Sequence, residues 1–85
     1  MNKKIIIGVQ ITNRIKNVPQ LQALLSEYGC NIKTRLGLHE VGDANCSMKG
    51  LLLLEMFGEE AAILEMEKKL KEIEGVNIQK MVFEG

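Results

Sequence analysis

Lys33, Arg35 and His39 stand at alternating positions with Gly37 between Arg35 and His39, a spacing that puts them on one side of an extended strand. Such a row suits an anionic ligand or an acidic partner surface. It equally suits an edge strand kept soluble by charge. His39 is the only histidine. Nucleophilic triads and metal sites need further groups at defined geometry, and no such set surrounds it in sequence. No catalytic residue and no metal ligand is therefore assigned, although a symmetric assembly could bring two copies of His39 or Cys46 together. Asn13 and Arg14 are the second candidate, a polar pair in the loop after the first apolar run, where an arginine could meet a phosphate. No glycine between Gln10 and Asn17 lets the backbone wrap an anion there. Cys30 and Cys46 form no C-x-x-C pair, so redox, metal-chaperone and iron–sulfur patterns are absent. Two reduced thiols are expected; a disulfide stays open but is disfavoured in a reducing compartment.

The elements that must carry these residues follow from hydrophobic periodicity. Ile5, Ile7, Val9 and Ile11 share one parity against Ile6, Gly8, Gln10 and Thr12, which reads as a half-buried strand over 4–12. Asn17 is suited to cap a helix that tolerates Pro19 in its first turn. Val18, Leu21, Leu24, Leu25 and Tyr28 then give an apolar stripe over 18–28, with Gly29 expected as a left-handed terminating residue. A second strand is predicted over 31–40, with Ile32, Thr34, Leu36 and Leu38 on one side and Lys33, Arg35, Gly37 and His39 on the other. Residues 41–47 read as a loop. Residues 48–57 hold four consecutive leucines and read as a central strand. Gly58 precedes a second helix with Ile63, Met66, Leu70 and Ile73 as its buried stripe and Gly75 as its stop. Residues 76–83 form the last strand.

The order β-α-β-β-α-β over a single 85-residue domain predicts a ferredoxin-like α+β fold, with a four-stranded antiparallel sheet and two helices on one face. Strands one and three should be central, two and four the edges. Two helices cover only one side of such a sheet. Parity then leaves Ile6, Leu51, Leu53, Met81 and Phe83 on the other, an apolar patch large enough to need a partner. The expected partner is a second copy, as a homodimer or homotetramer, with Lys33 on an edge strand able to extend the sheet.

Composition narrows the classes of function. Lys plus Arg and Asp plus Glu are 11 each, which argues against a nucleic-acid footprint or a polybasic membrane anchor. The chain has no Trp, one Tyr and two Phe, too few aromatics for base stacking on the sheet. No apolar run approaches a membrane span and the start is not a secretory signal, so a cytoplasmic chain is expected. No cofactor is expected, and nothing at Met1–Lys3 suggests a DNA-binding segment.

Leu25-Ser26-Glu27-Tyr28-Gly29, Arg35-Leu36-Gly37-Leu38 and Gly75-Val76-Asn77-Ile78-Gln79-Lys80-Met81-Val82 resemble the small proteins called iron-only hydrogenase system regulators. There a Leu-x-Glu-Tyr-Gly helix end precedes a Gly-Arg-Met-Gly-Ile-Pro-Tyr strand, and a Gly-Val-x-Val-Lys strand closes the chain. The resemblance covers nearly the whole length. It implies kinship with ACT domains and with the C-terminal domain of the nickel-responsive repressor, regulatory modules that oligomerise through their sheets and bind small molecules or metal at the interface. By that resemblance Arg35 and Gly37 occupy the family's Arg-x-Gly positions, and His39-Glu40 stands where the family has Pro-Tyr. The function implied is a small oligomeric regulatory module with a small-molecule effector or a protein partner; Arg35 and Gly37 are the ligand residues the resemblance points to, and His39 of the same row and Asn13 and Arg14 of the first loop complete the candidate set. Two alternatives remain: an acylphosphatase-type enzyme relying on Arg14, and an assembly module without a ligand.

Overall fold

The computed structural model describes residues 3–12, 14–38 and 50–85. His39, Cys46 and Asn13 therefore lie outside the described residues. The elements run β1 (Lys4–Ile11), α1 (Val18–Glu27), a short 3-10 turn (Gly29–Asn31), β2 (Ile32–Leu38), β3 (Gly50–Met56), α2 (Glu60–Lys71) and β4 (Val76–Phe83). The four strands form one antiparallel sheet in the order β2-β3-β1-β4, so β1 and β3 are central and β2 and β4 are edges.

Alternation in β1 sets the two sides of the sheet. Ile5, Ile7, Val9 and Ile11 are buried, and they pack in one cluster with Leu54 and Met56 of β3 and Val76 of β4. Leu21, Leu24 and Leu25 of α1, and Ile63, Met66 and Leu70 of α2, join the same cluster. Both helices therefore cover the same side. Each such side chain contributes roughly 1.5–3 kcal/mol on burial, which is what holds helices of ten and twelve residues that would be marginal alone. No described helix is long and apolar enough to cross a membrane.

The ends of the helices are local chemistry. Asn17 caps α1 as expected, its side-chain oxygen accepting from the Gln20 amide at 3.0 Å. Gly75 adopts φ +87°, and a Cβ there would run into the backbone of Ile15. Gly29 differs from expectation: it is not left-handed, and α1 instead tightens into the 3-10 turn. Asn31 makes that turn possible. Its amide donates to the Tyr28 carbonyl, its carbonyl accepts from Phe57 N–H, and its side-chain amide donates to the Phe57 carbonyl at 3.1 Å.

The second departure decides what β2 presents. Ile32 pairs with Met56, yet Thr34 pairs with Glu55, so Lys33 is an extra residue in a bulge. Strict alternation predicted Ile32, Thr34, Leu36 and Leu38 on one side. The bulge separates them: Ile32 packs against the core, while Thr34, Leu36 and Leu38 lie opposite Glu55, Leu53 and Leu51 on the helix-free side. Lys33 consequently drops out of the regular row with Arg35 and Gly37.

Candidate functional site

The helix-free side of the sheet is a grid fixed by the pairing registers. One row across the sheet reads Thr34, Glu55, Ile6, Met81. The next reads Leu36, Leu53, Gly8, Gln79, and a third Leu38, Leu51, Gln10, Asn77. Beyond the first row Lys4 is paired with Phe83. The expected outward residues Ile6, Leu51, Leu53 and Met81 are all on this side. Leu36 and Leu38 join them, missed because the bulge at Lys33 leaves no mark in the sequence pattern. Exposure of 50% at Leu36, 42% at Leu38, 49% at Met81 and 54% at Phe83 is high for side chains this apolar.

Polar groups on this side are held by one another. Glu55 accepts from Thr34 Oγ1 at 2.9 Å and meets Lys4 Nζ at 3.3 Å. The Thr34 hydroxyl, and then Lys4, hold the Glu55 carboxyl below the usual glutamate range. At the opposite corner Asn77 Nδ2 donates to Gln10 Oε1 at 2.9 Å. Gly8 lies between these corners, in a central strand. A Cβ there would sit 3.7 Å from the Gln79 carbonyl and 3.9 Å from Leu53, which is ordinary contact. Nothing among the described residues requires a glycine there, whose place in a strand interior costs about 0.5–1 kcal/mol relative to alanine.

The proposed ligand residues are dispersed. Arg35 and Gly37 pair with Leu54 and Leu52, which places them on the helix side of edge strand β2, both exposed. Lys33, in its bulge, lines an open concavity of about 590 Å³ with Lys3, Lys4 and Glu60 near the start of α2. Two of its lysines are already matched, Lys3 to Glu60 at 3.1 Å and Lys4 to Glu55 at 3.3 Å. Arg14 is exposed at the other end of the sheet, in the loop after β1. There Thr12 donates from Oγ1 to the Gly75 carbonyl at 2.7 Å and accepts from the Arg14 amide at 3.2 Å. The Arg14 amide is thus taken up by Thr12, and Thr12 ties the loop to Gly75. Arg35 lies mid-strand on the β2 edge, Arg14 lies in the loop after β1 beside Gly75 just before the opposite edge strand β4, and no single described site gathers them. Among the described residues no three His, Cys, Asp or Glu side chains are grouped to hold a metal ion.

The remaining charged clusters tie the architecture together. Tyr28 O–H donates to Glu65 at 2.6 Å, and Lys69 bridges Glu27 at 3.2 Å and Glu65 at 3.3 Å while lying 5.2 Å from the Tyr28 ring centre. The Tyr28 hydroxyl, and then Glu27 and Glu65, raise Lys69 above the usual lysine range, and the Tyr28 hydroxyl lowers Glu65. This clamp joins α1 to α2. Glu67 is buried under β4, where Lys80 reaches it at 2.9 Å and Lys71 at 3.5 Å. Burial opposes its ionisation, yet the two lysines hold its carboxyl below the ordinary value.

No protein-family model matches the chain, and no curated protein sequence matches it. Its fold is similar to that of an uncharacterized protein from Thermotoga maritima, with a TM-score of 0.78 at 20% identity, over 96% of this chain and 99% of that one.

Proposed function

We propose that this chain is a small non-catalytic regulatory module of the ferredoxin-like, ACT-like kind, which works by assembling with copies of itself through the helix-free side of its sheet. The observation that carries the reading is the apolar band across that side, from Leu36 and Leu38 through Leu53 and Ile6 to Met81 and Phe83. A monomer would leave it in water, whereas stacking two such sides returns the transfer free energy of the apolar area removed. Exposed edge strands offer a second contact by which dimers could form a tetramer.

The regulatory part of the reading rests on the resemblance to iron-only hydrogenase system regulators at Arg35, Gly37 and the strand opened by Gly75. The Arg35–Gly37 stretch is the surface where a small anionic effector or an acidic partner would be met, free of the core and accessible at a sheet edge. The Arg14 and Ile15 amides already donate to Thr12, which is itself bound to the Gly75 carbonyl, and this favours the β2 surface over phosphate chemistry at Arg14.

Thermal melting at increasing protein concentration tests the assembly, because association raises the melting temperature by mass action. A melting temperature independent of concentration over a hundredfold range overturns it. The same assay against amino acids, nucleotides and divalent cations tests the effector. A shift abolished by Arg35→Ala supports a ligand at β2, and no shift with any of them favours an assembly module without one.

A further inference from the structure

Self-association through the open side does not by itself say how two copies meet, but the placement of the side chains does. Two identical sheets stacked face to face as a closed dimer are related by a two-fold axis lying in the plane between them. An axis along the strands would set Leu36 and Leu38 against the partner's Gln79 and Asn77. An axis across the strands would set Leu53 against Glu55. Both bury apolar groups against polar ones.

The diagonals differ. Leu38, Leu53, Ile6 and Phe83 fall on one diagonal of the grid, one from each strand. An axis along it sets each of these on its own copy and brings Leu36 near Leu51, Thr34 near Gln79, and the aliphatic stem of Lys4 near Met81. Glu55 then lies over Gly8, the one position on this side with no side chain. The other diagonal matches Leu53 with Ile6 but sets Glu55 directly on Glu55, a like-charge contact that is unfavourable.

We propose, resting on the self-assembly reading above, that two copies stack with their strands crossed about the Leu38–Leu53–Ile6–Phe83 diagonal, each Glu55 seated over the other copy's Gly8. Strands 4.8 Å apart and residue pairs about 6.8 Å apart put that diagonal roughly 35° from the strands, so the two sheets cross at roughly 70°. Glu55 enters the interface with its carboxylate already held by Thr34 and Lys4, which offsets the cost of burying it. The glycine that no other described residue requires is accounted for by the carboxylate it receives.

Short-span crosslinking tests the arrangement. In a Cys30→Ser, Cys46→Ser chain, Ile6→Cys, Leu53→Cys and Gln79→Cys are treated singly with a bismaleimide spanning about 10 Å, the separation of packed sheets. The Ile6 and Leu53 variants are each expected to link to their own copy at least tenfold more than the Gln79 variant. If the mass is dimeric but the Ile6 and Leu53 variants link only when mixed with each other, or neither links, the crossed arrangement is overturned while self-assembly stands. A monomeric mass in the background chain and the unsubstituted protein alike overturns both. Gly8→Val supplies an independent reading: it is expected to fold and to lose the dimer, and a dimer retained at unchanged affinity overturns the placement of Glu55.

Discussion

Replacing Gly8 with valine should move the stability of the single chain and the stability of the assembly in opposite directions. The position lies in β1 between two paired strands, with the new Cβ in ordinary contact with the Gln79 carbonyl and Leu53. Removing a strand-interior glycine gains about 0.5–1 kcal/mol, and a β-branched residue adds a few tenths more on a scale spanning about 1 kcal/mol. The isolated chain should therefore gain about 1 kcal/mol, or roughly 4–8 °C in melting temperature for a domain of this size. In the dimer the same side chain occupies the space of the partner's Glu55, and the association free energy is lost. Urea unfolding at low and high protein concentration separates the two effects. At concentrations where the parent chain is monomeric the variant should be the more stable; where the parent is dimeric it should be the less stable. A variant less stable at every concentration would show that the glycine is required inside the chain, and would refute the argument.

Leu53→Asp should leave the fold intact, since the side chain faces away from the core, and should cost at most about 1 kcal/mol of chain stability while abolishing association; circular dichroism and sedimentation check the two halves. Gly75→Ala should destabilise by about 3 kcal/mol or more in chemical denaturation, because alanine is strained at φ +87° and its methyl meets the Ile15 backbone. Glu67→Gln should cost about 1.5–3 kcal/mol at neutral pH, because a neutral amide removes the negative charge that Lys80 and Lys71 meet. The folded carboxyl titrates below its ordinary value of 4.5, so its contribution is present above that value and lost as pH falls through the folded pKa. Unfolding curves of parent and variant should therefore converge as pH falls below about 4.5, and a constant gap down to pH 2 would contradict this origin.

Element order, strand parity in β1, β3 and β4, and the buried stripes of both helices were legible because each rests on a period that repeats several times. Ile5-Ile7-Val9-Ile11 and Ile63-Met66-Leu70-Ile73 are such repeats, and they are the core. What was not legible depends on contacts distant in sequence. The bulge at Lys33 arises from how β2 meets β3, and it moved Leu36 and Leu38 to the open side although they share parity with Ile32. Gly29 looked like a helix stop, but Asn31, bound across to Phe57, draws the chain into a 3-10 turn instead. Glu67 reads in sequence as part of a solvated i,i+4 pair with Lys71, and only β4 brings Lys80 over it. The candidate ligand residues were found by type and spacing alone. Spacing placed Arg35 and Gly37 together on one edge, but it could not show that Arg14 lies beside Gly75, toward the opposite edge strand β4.

Light scattering on the unsubstituted chain and on Leu53→Asp, across a hundredfold concentration range, addresses self-assembly through the open side of the sheet most directly. The account predicts at least twice the chain mass for the parent at micromolar concentration and the single-chain mass for the variant. A parent that stays at the single-chain mass throughout, or a variant that assembles as the parent does, would contradict it.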